Sequence, residues 1–212
     1  ARISVRTRYP DAAGQRWISG FTHAGKPGES TSPADLAAIS SGAGTDAEDR
    51  ALLQTLAAPE YLTDWGLRSK PDSAPDYDPQ AYSRGSVWGL GSASAAETMW
   101  KHGQGEQAAD LWRRLVLWAN YDSLGHMHEV MRGDRREAQS ESVPEQMWSS
   151  AAFLSAAITG LYGLEVDAAT PSLRFHPQPP NDWNQLKAEN VRGGESNVSL
   201  SWRGSAGADQ GV

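Results

Sequence analysis

The 212-residue sequence contains no cysteine, which removes a disulfide framework, thiolate metal sites and a cysteine nucleophile together. Bases are in the minority, 19 against 26 acids for a formal charge of −7, and no cluster of Lys or Arg offers a stripe for phosphates. Nucleic acid is therefore not an expected partner. Long apolar runs are missing as well. The longest weakly polar stretch, residues 149–163, falls short of the roughly 20 apolar residues that a membrane span needs, so no membrane segment is expected. The chain opens Ala1-Arg2-Ile3 with neither a charged nor an apolar leader segment, and any targeting signal is expected to be absent or already removed. No G-x-x-x-x-G-K phosphate loop and no G-x-S-x-G elbow occurs; Gly85-Ser86-Val87-Trp88-Gly89 has a different spacing.

What is present in excess is tryptophan. Nine Trp equal the three Phe and six Tyr combined. Trp brings an N–H that must find a partner when buried, and its flat face is a platform for sugar rings. The length suits one domain with a sizeable core.

Periodicity divides the chain. Residues 1–44 read as an irregular, β-containing lead-in rich in Gly, Pro, Ser and Thr, with strands expected at 3–8 and 16–21. A helical portion follows over 45–164. Thr45-Asp46 with Glu48 and Asp49 has the form of a capped helix start, and Leu52, Leu53 and Leu56 follow at helical spacing up to Pro59. Residues 60–86, with Pro71, Pro75, Pro79 and four Asp, read as a long ordered loop. Helices are expected over 87–103 and 106–121, with Trp100, Trp112 and Trp118 as core residues. Pro144 is expected to open another, in which Met147, Ala151, Leu154, Ile158 and Leu161 form the most regular apolar pattern in the chain. Beyond Gly163 the period drops to two at Leu173–Phe175 and Val198–Trp202, giving a small β appendix over 165–203 and a disordered tail over 204–212. The fold class is thus mainly α with a small C-terminal β appendix.

Carboxylates stand beside Trp and Arg in the polar connections, at Asp64-Trp65, Arg84 to Trp88, His128-Glu129 and Glu145-Gln146-Met147-Trp148. That is the composition of a sugar-processing cleft. His126, His128 and Glu129 lack a third, distant ligand at meaningful spacing, so neither metal nor cofactor is expected.

Thr63-Asp64-Trp65-Gly66-Leu67-Arg68-Ser69, Tyr77-Asp78-Pro79 and Gly85-Ser86-Val87-Trp88 resemble, in order, the T-D-W-G-x-R-S, Y-D-P and G-S-V-W blocks of amylo-α-1,6-glucosidase-like proteins, the glucosidase part of glycogen debranching enzymes. His128-Glu129, Val143-Pro144-Glu145-Gln146, Gly160-Leu161-Tyr162-Gly163-Leu164, Leu173 to Trp183 and Asn190 to Gly194 continue the resemblance, which covers roughly residues 59–203. It implies the C-terminal part of an (α/α)6 toroid, the six-hairpin glycosidase architecture, and inverting hydrolysis of an α-linked glucosyl or related sugar by two carboxylates.

By position Glu129 matches the family's general base. Asp64, Trp65, Arg68, Arg84, Trp88, His128, Glu145 and Gln146 are the implied sugar-binding residues. The chain departs from the pattern at His128, where the family usually has Pro, and at Glu145, where it usually has Gln. The T-W-M-D-like block bearing the family's general acid is absent. A second chain or a missing N-terminal portion is expected to supply that acid. The alternatives are a non-catalytic carbohydrate-binding or structural fragment of a larger toroid, and a lyase or phosphorylase on the same scaffold. Each candidate also has an ordinary structural reading: a solvated acid for Glu129, an exposed ion pair for Asp64 and Arg68, loop anchors for Trp65 and Trp88.

Overall fold

A computed structural model describes residues 2–122, 125–167, 169–170, 172–193 and 196–204. Helices and short antiparallel strand pairs alternate along the chain. In order these are α1 (Arg2–Arg8), α2 (Ser32–Ser40), α3 (Asp46–Leu56), β1 (Leu62–Thr63), β2 (Gly66–Leu67), β3 (Val87–Trp88), α4 (Gly89–Lys101), α5 (Gly105–Val116), β4 (Val130–Met131), α6 (Met147–Ser155), β5 (Leu164–Asp167), β6 (Ser172–Phe175), β7 (Gln185–Gly193) and β8 (Ser196–Arg203). A 3-10 turn over Leu117–Asn120 extends α5, and a π-helical stretch over Ala156–Leu161 extends α6. No described helix is long and apolar enough to cross a membrane.

The lead-in corrects three expectations. Residues 3–8 are helical rather than extended. Residues 16–21 form only isolated bridges, Trp17 to Pro10, Ile18 to Ser30 and Phe21 to Pro27. An unanticipated helix, α2, is capped by the Thr31 hydroxyl accepting the Ala34 N–H and has Pro33 in its first turn. Asp35 on α2 anchors the lead-in. Fully buried, it accepts the Trp17 N–H at 2.9 Å and is paired with Arg16, so burial pushes its carboxyl up while the guanidinium opposes that shift. Helix α3 matches its sequence signal. Thr45 and Glu48 form a reciprocal capping box, and Leu52, Leu53 and Leu56 are buried.

The core centres on α4, whose buried Ala93, Ala95, Ala96 and Ser92 keep its surface thin enough for several elements to pack on it. Helix α5 returns antiparallel after the turn at Gly103, whose φ of +73° suits glycine. Helix α6 runs alongside α4 in the parallel sense. Near the start of both, a Cβ on Gly89 would lie 2.8 Å from Ser149; near the end of both, a Cβ on Gly160 would lie 2.4 Å from the Trp100 ring. Two glycines therefore permit close approach at each end of the pair.

Two expectations about α6 fail. Pro144 precedes the helix, and Gln146 is its N-cap, accepting the Trp148 N–H. More consequentially, the stripe of Met147, Ala151, Leu154 and Ile158 faces outward, with Met147 78% and Leu154 58% exposed; only Leu161 of that series is buried. The residues that meet α4 are the small ones, Ser149, Ala156 and Gly160.

Trp100 and Trp118 are buried as expected, and Trp112 is partly buried, stacked on Phe153 with centroids 4.6 Å apart. The loop over 60–86 contains the β1–β2 hairpin, in which Leu62 pairs with Leu67 and Thr63 with Gly66. Two further hairpins build the β appendix, β5 with β6 and β7 with β8. The Leu173–Phe175 and Val198–Trp202 segments are strands, paired with β5 and β7 respectively. Residues 205–212 of the expected tail lie outside the described residues.

Candidate active site

Glu129 sits immediately before β4, and the pairing of β4 with β3 decides what surrounds it. Trp88 lies opposite Val130 and Val87 opposite Met131, which brings the Gly85–Trp88 block against the His128-Glu129 block. The Gly89 N–H donates to the Glu129 carbonyl at 3.2 Å, and the Glu129 N–H donates to the Val143 carbonyl at 2.9 Å. A further bond from the Gln146 N–H to the Met127 carbonyl, 2.8 Å, draws in the 143–148 segment. Three segments far apart in sequence thus converge on the backbone around Glu129. Glu129 is partly buried as a residue, and its carboxylate is met at an exposed position by a neutral group, the Tyr82 hydroxyl, which donates to its Oε1. The hydrogen bond to Glu129 favours the protonated phenol and, with desolvation and the nearby carboxylate charge adding to it, pushes Tyr82 up to about 12.

Five of the sequence-derived candidates stand around this point. Trp88 directs its indole N–H to the Tyr82 carbonyl at 2.7 Å and lies edge-to-face with the Tyr82 ring, centroids 4.3 Å apart. Trp88 also lines a cavity of about 430 Å³ with Pro33, Leu36, Ala37 and Leu90. His128 is buried. One ring nitrogen lies 2.7 Å from Asp122 Oδ1 and the other 3.3 Å from Ser142 Oγ, and Tyr121 packs edge-on against it. Both polar atoms of His128 are engaged within the protein, so it braces the loop beneath Glu129. Gln146 lies on the adjoining segment with its side-chain oxygen at the start of α6. Glu145, next to it, is exposed, and so is His126. Arg84 lies two residues from Tyr82, half-exposed and 3.9 Å from Asp78.

Asp64, Trp65 and Arg68 are placed differently. The Asp64 side chain is 98% exposed on the β1–β2 turn, with Arg114 at 3.4 Å. Trp65 donates its indole N–H to the Arg132 carbonyl at 2.8 Å. Arg68 donates to the carbonyls of Gly133 (2.8 Å), Pro59 (3.1 Å) and Glu60 (3.0 Å) and pairs with Asp72. Arg132 and Gly133 directly follow β4, so Trp65 and Arg68 fasten the continuation of the strand that carries Glu129. The T-D-W-G-x-R-S block thus touches the site through the backbone.

The same habit explains much of the tryptophan excess. The indole N–H groups of Trp100, Trp112 and Trp118 donate to the carbonyls of Gln178 (3.2 Å), Phe153 (3.0 Å) and Trp65 (2.7 Å). With Trp65 and Trp88, these rings tie loops to helices by large apolar contacts and one directed bond each. Tyr82 escaped the sequence reading altogether. It lies between the Y-D-P and G-S-V-W blocks with no spacing relation to Glu129. Among the described residues no group of three or more His, Asp or Glu is arranged to hold a metal ion.

The family model described as a mannosylglycerate hydrolase MGH1-like glycoside hydrolase domain matches residues 4–149. The chain belongs to this glycoside hydrolase domain family. No curated protein matches the sequence. Among solved structures, a GH63 mannosylglycerate hydrolase from Thermus thermophilus in complex with Tris is similar over 73% of this chain and 36% of its own, at 19% identity and a TM-score of 0.58. The same hydrolase in complex with glucose matches 73% of this chain and 38% of its own, at 21% identity and a TM-score of 0.55. These likenesses concern the fold, a helical glycosidase domain with small sheets related to GH63. The MGH1-like chain spans little more than a third of the length of the structures it matches.

Proposed function

We propose that this MGH1-like domain supplies the general base and one wall of the sugar pocket of an inverting glycoside hydrolase. The observation that carries the reading is Glu129, whose backbone is fixed where three segments converge and whose accessible carboxylate is held at one oxygen by a neutral hydroxyl. A carboxylate so placed keeps lone pairs free to accept a proton from water. In inversion it does so while an acid about 6.5–9.5 Å away protonates the leaving oxygen. Trp88, Arg84, Gln146 and Glu145 border the same region and are the residues through which sugar hydroxyls and ring faces are recognised. Trp65, Arg68 and His128 act on the pocket from behind, by holding the backbone that carries Glu129 and its continuation; Asp64, exposed on the β1–β2 turn beside Arg114, does not.

The general acid is contributed by a part of the toroid outside these 212 residues, on the same polypeptide or another. Two features support an incomplete toroid. The parallel pair α4 and α6 with antiparallel α5 between them is the repeating unit of an (α/α)6 ring. The outward stripe of Met147, Ala151, Leu154 and Ile158 is the face on which a following helix of the ring would pack.

The ordered blocks favour an α-linked glucosyl substrate of the amylo-α-1,6-glucosidase kind. A second reading, an α-mannosyl acid, is favoured by the family's description and by the mannosylglycerate hydrolases whose fold it shares. The test is proton NMR of the first product released by the full toroid from an aryl α-glucoside and from mannosylglycerate. Release of the β-anomer supports inversion, and the substrate turned over decides between the two readings. An α-anomer as first product would rule the mechanism out.

A further inference from the structure

We infer that Tyr82 is a positioning residue for Glu129 and that Trp88 sets Tyr82 in place, an inference that rests on Glu129 being the base. The contacts close a circuit. Trp88 donates its indole N–H to the Tyr82 carbonyl, the Tyr82 hydroxyl donates to the Glu129 carboxylate, and the N–H of Gly89, next to Trp88, donates to the Glu129 carbonyl. Both the backbone and the side chain of Glu129 are therefore referred to the same point, the junction of β3 and α4. Tyr82 is itself doubly held, because its carbonyl also accepts the Ser86 hydroxyl at 2.9 Å. Its ring stands edge-on to the Trp88 indole, which fixes the direction of the phenol O–H.

This arrangement has a chemical consequence. A glutamate has three side-chain torsions, and one hydrogen bond to Oε1 removes most of that freedom while Oε2 keeps its lone pairs for the water proton. The charges facing Tyr82 are Glu129 and, more weakly, Glu141, so the phenol stays a neutral donor throughout the range in which a carboxylate base works. The Trp88 N–H thus serves Tyr82, a role separate from the sugar recognition proposed for its ring.

Tyr82→Phe keeps the ring against Trp88 and removes only the hydroxyl. In the full toroid it is expected to lower kcat about 10- to 100-fold, the range for losing one hydrogen bond to a charged group, with KM and the unfolding midpoint essentially unchanged. Trp88→Phe keeps an aromatic ring but loses the N–H, and is expected to lower kcat in the same sense by a smaller factor. A kcat within twofold of wild type for Tyr82→Phe would overturn the inference. An activity-independent readout uses the 212-residue chain: the alkaline NMR titration of the Tyr82 phenol is expected to fall from about 12 toward the ordinary value near 10 in Glu129→Gln. An unmoved midpoint would also overturn it. A moved midpoint together with full turnover by Glu129→Gln would leave the contact standing and remove Glu129 as base, so the two failures are distinguishable.

Discussion

Truncating two leucines on the same continuous helical stretch should have very different costs. Leu161 is 2% exposed and belongs to the main core, whereas Leu154 is 58% exposed on the outward stripe. Leu161→Ala removes a fully buried side chain and leaves a cavity, a loss of about 2–5 kcal/mol. Leu154 has about two fifths of its surface covered, so its truncation forfeits about 1 kcal/mol of burial, part of which alanine's better helix propensity restores. Against a domain stability of about 5–15 kcal/mol the first change is severe and the second mild. Equilibrium urea unfolding of the 212-residue chain, followed by far-ultraviolet circular dichroism with the m-value checked for constancy, separates the two. Leu154→Ala costing as much as Leu161→Ala would show that the stripe is covered in the chain itself, and the orientation of α6 with the toroid argument built on it would fall. On the proposed toroid, where the stripe would be a packing seam, the Leu154→Ala cost is expected to rise in the full-length protein.

Other consequences follow from single contacts. Asp35→Ala strands Arg16 and the Trp17 N–H beneath α2, and a loss of about 3–5 kcal/mol is expected in the same urea assay. Gly133→Ala would set a Cβ 2.1 Å from the Gly85 carbonyl and 2.6 Å from the Tyr77 hydroxyl; a lowered unfolding midpoint and altered amide shifts around Glu129 are expected. Thr45→Ala removes the hydroxyl half of the α3 capping box at about 1 kcal/mol. The other half is pH-dependent. Bonds from the Thr45 N–H and Arg6 hold the Glu48 carboxyl down at about 2, below its unfolded value near 4.3, so its contribution is complete above that value and disappears as pH falls toward 2. Unfolding free energies measured between pH 6 and pH 2.5 should decline less steeply in Glu48→Gln than in wild type.

The sequence displays the elements that carry local signals and hides those fixed by distant partners. Helix α3 is legible because Thr45, Glu48 and the leucines are all within twelve residues of one another. Helix α2 has a Thr-Ser-Pro start but is short and built of small residues, so no period announces it. The α6 stripe is legible as a face but not as an inside: periodicity reports which side chains point together, and what they meet is decided elsewhere. At the site, the ordered blocks drew attention to Glu129 and its loop and implied a glycoside hydrolase; the chain does belong to a glycoside hydrolase domain family, the MGH1-like one, while the amylo-α-1,6-glucosidase kind is not what the family model matches. The roles within those blocks were not legible. Trp65 and Arg68 have the composition of a sugar pocket, yet their donors reach carbonyls 65 or more residues downstream, at Arg132 and Gly133. Tyr82 and Glu129, 47 residues apart, meet only because β3 pairs with β4.

The central claim is that Glu129 deprotonates the attacking water. Glu129→Gln keeps the shape and the Tyr82 contact but removes the basicity, so the direct measurement is steady-state turnover of an α-glycoside by the full toroid, with sugar binding followed calorimetrically in parallel. The account predicts that kcat falls by several orders of magnitude, about 10³-fold or more, while the sugar still binds. Turnover close to wild type would contradict it.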